Sequence, residues 1–147
     1  NRKTFLRQKK EIPYSLNFLR KHDNALSSNK ARKIFYAQDE EGKIHSALYL
    51  TWDANSSYVH MVGDDPMFRN SGAGILLVWE TIKFTKNILK IDFYDFEGSM
   101  LENVEQVRRS FGATQKPYFA ITKTESKLLQ IRKMMKEIIT KRKTRGG

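Results

Sequence analysis

The middle of the chain carries a pattern that strongly restricts its fold. Apolar and polar side chains alternate in residues 33–38, 43–52 and 57–63, and turn-forming residues separate these three segments. Alternation places the apolar side chains on one face of a half-buried strand, and short turns join neighbouring antiparallel strands. The sequence therefore predicts a three-stranded antiparallel meander, and the elements on either side of it decide the fold class.

Apolar residues at helical spacing precede and follow the meander. Leucines recur at helical intervals before residue 30, and a second helix is predicted from Ser71 to Asn87. A capping box at Thr122 and Glu125 starts a last helix. Between these two helices we predict a strand that is expected to be central, a short helix and a final strand, at 91–96, 100–110 and 116–122. This order predicts an α+β fold in which helices flank a mixed central sheet.

Length and composition are those of a globular domain. The 147 residues are 39% hydrophobic and 12% aromatic, which is enough to bury a core. We predict a single domain over residues 1–147. It comprises a helical lead-in at 1–33, a core at 34–122, and a basic C-terminal helix and tail at 123–147. A chain that opens on Asn1 is also consistent with a fragment of a longer protein.

The composition disfavours several classes of protein. No apolar run approaches the roughly 20 residues that a membrane-spanning helix needs, so we expect no integral membrane segment. The absence of cysteine excludes disulfides and thiolate metal sites, and it fits the reducing cytoplasm. His22, His45 and His60 do not have ligand spacing, so we expect no metal.

Positive charge is concentrated at the two ends of the chain. The net charge is +11, of which residues 1–33 carry +8, residues 34–122 carry −4 and residues 123–147 carry +7. Basic ends favour an anionic partner such as RNA, a phosphate-bearing ligand or a membrane surface. Solvated helix faces explain the same charge without any partner, so both interpretations stay open.

The sequence RNSGAG leads directly into the apolar helix predicted from residue 71. The first turn of a helix presents unpaired backbone amides and a partial positive charge, which suit phosphate oxygens. Glycine lets such a ligand approach closely, and an arginine just upstream would add a charge-assisted contact. We predict a phosphate-binding segment made of Arg69, Asn70, Ser71, Gly72, Ala73 and Gly74. A glycine-eased turn into a buried helix is the alternative.

The R-x-x-G-x-G pattern at 69–74 resembles the acyl-coenzyme-A-binding motif of the GNAT N-acetyltransferase superfamily. As in that superfamily, it follows a meander and precedes a long helix. The later segment SFGATQKPYFAI (110–121) is similar to the superfamily's closing helix, glycine–aromatic pair and last strand. The resemblance implies a GNAT-type fold, acyl-coenzyme A as donor and transfer of an acyl group to an amine.

A closer resemblance is to the FemAB-like branch, the peptidoglycan-bridge aminoacyltransferases and their single-domain relatives named methicillin-resistance proteins. It is carried by SGAGILLVWETIKF (71–84), DFEGSM (95–100) and FGATQKPY (111–118), together with the hairpin at 39–52. This resemblance implies an aminoacyl-tRNA donor, a peptidoglycan precursor as acceptor, and the presence here of one unit of a two-unit enzyme.

Arg108 departs from the acetyltransferase pattern. Members of the superfamily commonly have a tyrosine four residues before the glycine of the glycine–aromatic pair, where it can protonate the leaving thiolate. Arginine cannot act as a general acid at neutral pH. We expect Arg108 to stabilise negative charge on a leaving group or to bind phosphate or RNA. The departure favours the aminoacyl branch, whose leaving group is a ribose hydroxyl.

An amine acceptor must lose a proton before it attacks an acyl carbon, and a carboxylate can take that proton. Glu97 and Asp95 come at the end of the strand predicted at 91–96, where the sheet would open beside the glycine turn, and they are our candidates for the base. Alternatively, Asp95 hydrogen-bonds loop amides and Glu97 caps the next helix. We expect Tyr118 to present its hydroxyl to the substrate.

The last predicted helix is basic, and we expect Arg132 and Lys136 to contact the phosphates of a nucleic acid such as tRNA. Packing of this helix on the sheet with solvated lysines is the alternative. Together with the glycine turn, these features predict an acyltransferase of the GNAT and FemAB-like kind. The alternative function is a non-catalytic RNA- or anion-binding module on a GNAT fold.

Overall fold

The computed structural model describes residues 2–7, 9, 11–98 and 102–117, together with 119, 121, 123, 124, 126, 127, 129, 131, 132, 134 and 135. The chain divides into two compact units, Asn1–Ala113 and Thr114–Gly147. The sheet lies in the first unit. None of the helices formed by the described residues is both long and apolar enough to cross a membrane.

Two helices, α1 (Arg2–Arg7) and α2 (Leu16–Ser28), precede the sheet, as predicted. The second one starts sharply because Ser15 caps it: the Ser15 hydroxyl accepts a hydrogen bond from the Phe18 amide at 3.1 Å. Its side chains are exposed or partly buried, and none is fully buried.

The predicted meander is confirmed as strands β1 (Arg32–Gln38), β2 (Ile44–Trp52) and β3 (Ser56–Asp64). Strand β2 pairs antiparallel to both β1 and β3, and a short strand β4 (Phe93–Asp95) pairs parallel to β3. The sheet order is β1-β2-β3-β4. This mixed sheet with its helices confirms the α+β fold class.

The expected central position of the strand at 91–96 is wrong for the described part of the chain, where β4 is the outermost strand of the sheet. This strand is short because Glu97 and Gly98 follow it with φ values of 54° and 59°, which end the extended conformation. The strand predicted at 116–122 is not formed by the described residues of that range. Alternation favours a strand only where one face is buried, whereas Phe119 and Ile121 are 85% and 92% exposed.

Helix α3 (Ala73–Phe84) packs on the sheet and continues into a π-helical turn, Thr85–Leu89. The core joins Leu48 and Leu50 of β2 to Leu77 and Val78 of α3. Helical spacing predicts a buried face made of Ile75, Val78, Trp79, Ile82 and Leu89, and this is partly wrong, because Ile75 and Trp79 are half exposed. Thr81 is buried instead, since its hydroxyl donates to the Leu77 carbonyl oxygen at 2.9 Å and is thereby satisfied.

Helix α4 (Glu102–Ser110) follows β4, as predicted, and ends the regular structure of the first unit. In the second unit, the described residues 127, 129, 131, 132, 134 and 135 are helical, in agreement with the predicted C-terminal helix. Helical spacing places Ile131 and Met135 on its predicted apolar stripe, and both side chains are exposed.

Candidate functional site

The pairing between β3 and β4 is short. It joins Ser56–Tyr58 to Phe93–Asp95, whereas β3 itself continues to Asp64. Glu97, the residue that turns the chain away after β4, reaches back across this junction with its side chain. The two carboxylates proposed from the sequence, Asp95 and Glu97, therefore stand where the strand pairing stops.

A β-bulge at His60 interrupts the pairing of β3 with β2. Tyr49 is opposite Met61 and Leu50 is opposite Val59, so His60 has no partner on β2. The extra residue turns both His60 and Met61 towards the face of the sheet that carries α1 and α2. There the His60 ring lies 4.9 Å from the ring of His22, and Met61 Sδ accepts a hydrogen bond from the Tyr14 hydroxyl at 3.9 Å.

Glu97 and His60 form a hydrogen-bonded pair, with 3.1 Å between Glu97 Oε1 and His60 Nδ1. The backbone amide of Glu97 donates to Asp95 Oδ1 at 2.7 Å, so Asp95 fixes the turn that presents Glu97. A carboxylate that accepts from Nδ1 selects the tautomer in which Nε2 carries the lone pair. Both carboxylates were predicted from the sequence but His60 was not, because the histidine lies 37 residues earlier in the chain.

Arg108 on α4 belongs to the same group of charges. Burial lowers the pKa of Arg108, and the nearby carboxylates of Asp95 and Glu97 oppose that shift. Its Nη1 is buried and has no hydrogen-bond partner among the described residues. Arginine remains protonated at neutral pH, so this side chain supplies a fixed positive charge beside the carboxylates.

The glycine segment forms the entry to α3. Gly72 is the N-cap residue, with a φ of 76°, and neither its amide nor those of Gly74 and Ile75 hydrogen-bond to a described residue. Two other amides of this segment are used locally: that of Ala73 donates to Ser71 Oγ at 3.3 Å, and that of Ser71 donates to the Phe68 carbonyl oxygen at 2.9 Å. Free amides at a helix start are the donors that phosphate oxygens require.

Space around these amides is open on one side. A Cβ atom at Gly72 would meet nothing within 4 Å, and Ser71 and Gly72 are exposed. Arg69 and Asn70, also exposed, precede them, and Arg69 forms no ion pair with a described residue. Free amide donors and open space therefore occur together at the start of α3.

Gly74 has a different neighbour. A Cβ built at this position would lie 2.7 Å from Asp64 Oδ1, closer than real Cβ contacts allow. The absence of a side chain at Gly74 thus admits the carboxylate at the end of β3. A carboxylate near the start of a helix is stabilised by the helix dipole. From the sequence, both glycines were predicted to permit the approach of a phosphate.

A cleft of about 210 Å³ adjoins the start of α3 on the side of the β1–β2 hairpin. Asp39 and His45 face it, with 3.1 Å between Asp39 Oδ2 and His45 Nε2. Hydrogen bonds to Asp39, above all from the Lys43 amide, lower the pKa of its carboxyl group. The other lining residues are Ala37, Gln38, Ser71, Gly72, Ala73 and Leu76.

The remaining residues proposed from the sequence are Arg132, Tyr118 and Lys136. Arg132 is exposed and belongs to the second unit. Tyr118 and Lys136 lie outside the described residues. Of the twelve proposed residues, the structure therefore brings Asp95, Glu97 and Arg108 together at the end of β4 and leaves the segment 69–74 at the start of α3.

Solved structures with similar folds include acetyltransferases. The aminoglycoside 6'-N-acetyltransferase AAC(6')-Ih from Acinetobacter baumannii matches with a TM-score of 0.59 and 12% identity over 78% of this chain and 84% of that chain. AAC(6')-IG from Acinetobacter haemolyticus has a TM-score of 0.59, with 14% identity over 78% of this chain and 85% of its own. The complex of AAC(6')-Iy with a coenzyme A bisubstrate analogue has a TM-score of 0.62, with 9% identity over 82% and 87%.

No family profile and no curated protein matches the sequence. The chain has the fold of the GNAT acetyltransferases, and the α+β prediction with a GNAT-like sheet is confirmed. Nothing in these matches points to the FemAB-like branch.

Proposed function

We propose that this protein is an acyltransferase that moves an acyl group from acyl-coenzyme A to an amine of a small molecule. The observation that carries the proposal is the start of α3, where the amides of Gly72, Gly74 and Ile75 are unpaired behind Arg69. A diphosphate binds well to several free amides at a helix start because the hydrogen bonds are charge-assisted. Coenzyme A carries such a group.

The arrangement along β3 is consistent with a long, extended donor. Asp64, at one end of the strand, adjoins Gly74 of the phosphate-binding segment, and His60 lies four residues earlier. Four residues of strand span about 13 Å. A donor held by its phosphates at α3 would place its reactive end near the carboxylates that follow β4 if its arm ran along this strand.

The coenzyme A donor is favoured over the aminoacyl-tRNA that the FemAB-like resemblance implied. A structural neighbour holds a coenzyme A bisubstrate analogue, and two others act on aminoglycosides, which carry amines. Aminoacyl-tRNA as donor and a peptidoglycan precursor as acceptor are kept as arms of the experiment. Acyl-coenzyme A and charged tRNA are both cytoplasmic, so the proposal places the protein in the cytoplasm.

Within this proposal, different residues of the chain bind the donor, assist proton removal and stabilise the leaving group. When bound, the donor supplies a thioester whose carbonyl carbon the amine attacks. One of the carboxylates at the end of β4 assists removal of the amine proton, and Arg108 offsets the negative charge that forms on the leaving group. Arg69 and the α3 amides orient the donor.

A second candidate is a non-catalytic module that binds RNA or another polyanion. The net charge of +11 favours it, and so does Arg108 in the position where acetyltransferases commonly have a tyrosine. This candidate requires binding without turnover.

Isothermal titration with acetyl-coenzyme A, coenzyme A and charged tRNA tests the proposal. We expect both coenzyme A species to bind, and we expect acetyl-coenzyme A to release free thiol in the presence of a panel of amines that includes an aminoglycoside and a peptidoglycan precursor. Binding of none of the three would overturn the acyltransferase proposal. Binding of tRNA without any thiol release or aminoacyl transfer would support the second candidate.

A further inference from the structure

The imidazole of His60 lies at the junction of β3 and β4, and a hydrogen bond to one of its two nitrogens orients the ring. The bulge places His60 there, and Glu97 Oε1 holds its Nδ1 at 3.1 Å. His60 Nε2 has no hydrogen bond to a described residue. The pair therefore combines a fixed ring with a free lone pair, which is the arrangement of a proton acceptor.

We propose that His60 is the catalytic base of the acyl transfer and that Glu97 is a positioning residue that orients it. The inference rests on the proposed function, and it moves the role of base from the carboxylates to the histidine. Glu97 cannot easily offer the same oxygen to an amine, because that oxygen already faces His60 Nδ1.

The neighbours of His60 on every packed element agree with this division of roles. From α2, the His22 ring lies 4.9 Å away, and its Nε2 is buried without a partner among the described residues. From β2, the Tyr49 ring lies 5.9 Å away, but its hydroxyl donates to Asp23 at 2.9 Å. On α4, burial lowers the pKa of Arg108, which lies close enough to Asp95 and Glu97 for their negative charges to raise that pKa. Tyr49 is thereby engaged elsewhere, and burial first of all raises its pKa to about 12.

The proposed reaction is attack of the amine on the thioester of the donor. The nitrogen lone pair of the amine forms a bond to the acyl carbon, and the carbon–sulfur bond breaks. The thiolate departs with the electron pair of that bond. The proton of the amine goes to His60 Nε2, and from there it returns to the thiolate or to solvent, so that no further reactant is needed.

Two nucleophiles distinguish a base from a structural residue. An alkylamine such as ethanolamine is mostly protonated at neutral pH and needs a base, whereas hydroxylamine is mostly unprotonated and needs none. We expect His60→Gln to lower kcat/KM for ethanolamine about 100-fold or more, the usual contribution of a general base. With hydroxylamine the loss should be much smaller. Thiol release from acetyl-coenzyme A gives both rates.

Two further variants test whether His60 or Glu97 is the base. Glu97→Gln should cost no more than His60→Gln with ethanolamine, because it disturbs the orientation of a base that is still present. Tyr58→Phe is the control on the same strand: it removes a hydroxyl that donates to Asp53 at 2.8 Å, and the rates should not change.

Acetyl-coenzyme A binding separates this proposal from the proposed function. If wild-type protein does not bind acetyl-coenzyme A, the proposed function fails. Suppose that wild-type protein and His60→Gln both bind it. The inference then fails if kcat/KM of His60→Gln falls by the same factor with ethanolamine and hydroxylamine, or does not fall with either. It also fails if Glu97→Gln lowers kcat/KM for ethanolamine more than His60→Gln does. It also fails if the wild-type protein releases no thiol with either nucleophile.

Discussion

Gly72 has a backbone conformation that most residues avoid. Its φ of 76° lies in the left-handed region, and open space surrounds the place of a Cβ atom. Gly74 has no such φ, and it is confined by the carboxylate of Asp64. Two glycines of one motif are thus required for different reasons, one by the backbone and the other by a neighbouring side chain.

Gly72→Val tests the phosphate-binding role at the level of one residue. The left-handed conformation costs a non-glycine residue about 1–2 kcal/mol, so we expect a moderate loss of stability. We also expect acetyl-coenzyme A to bind roughly tenfold more weakly or worse, because a hydrogen bond to a charged group contributes about 1.5–3 kcal/mol. Titration calorimetry and urea unfolding measure the two effects.

Gly42→Val is the matched control, because Gly42 has a φ of 78° and equally open surroundings. It should lose comparable stability while binding acetyl-coenzyme A normally. Equal binding by the two variants would mean that Gly72 serves the turn alone.

Gly74→Ala has an effect that depends on Asp64. Alanine stabilises a helix by about 1 kcal/mol relative to glycine. Here, however, the new methyl group would lie 2.7 Å from Asp64 Oδ1. We expect Gly74→Ala to bring no gain in the free energy of unfolding in the wild-type background. In an Asp64→Ala background the same change should stabilise by about 1 kcal/mol.

Urea denaturation of wild type, Gly74→Ala, Asp64→Ala and the double variant gives the coupling free energy between the two positions. An equal gain in both backgrounds would show that the carboxylate moves aside freely, and the steric explanation for this glycine would be wrong.

At the scale of elements, turns organised by aspartates hold the hairpins of the sheet. Asp53 joins β2 to β3: its Oδ1 accepts from the amides of Asn55 and Ser56 at 2.7 and 2.8 Å, and its Oδ2 accepts from the Tyr58 hydroxyl at 2.8 Å. Hydrogen bonds from these groups, the Asn55 amide first, lower the pKa of its carboxyl group. The sequence predicted this turn, since Asp and Asn close such loops through their side chains.

The lowered pKa of Asp53 makes the hairpin sensitive to acid. A carboxyl group whose pKa is lower in the folded state stabilises the fold above its unfolded pKa, and this contribution is lost as the pH falls through the folded value. We expect Asp53→Asn to be less stable than wild type at pH 7, and the difference to shrink below about pH 3.8. Urea unfolding at several pH values measures it. A difference that is constant with pH would contradict the assignment.

At the scale of the whole molecule, the net charge of +11 attracts polyanions over a long range, and this attraction differs from binding at a specific site. Basic residues attract any polyanion, and such binding weakens steeply with salt because counterions are released. The donor site at α3 instead depends on amides at fixed positions.

Binding of tRNA should therefore be weak and lost at high salt. Filter binding between 50 mM and 500 mM salt measures the affinity for tRNA, and thiol release from acetyl-coenzyme A is measured under the same conditions for comparison. A complex with several phosphate contacts loses on the order of a thousandfold in affinity between about 50 and 200 mM salt. Turnover should persist at salt concentrations that abolish RNA binding. Salt-resistant tRNA binding would instead favour a dedicated nucleic-acid site.

The sequence by itself determined the types and order of the helices and strands in the first unit, and it located the glycine entry to α3. These features follow from local periodicity and turn chemistry, which act over a few neighbouring residues. Only the tertiary structure decided that β4 is an outer strand in the described sheet, that Thr81 rather than Trp79 is buried, and that His60 meets Glu97. Those outcomes depend on a bulge and on contacts between distant segments, and single-sequence periodicity carries no information about such contacts.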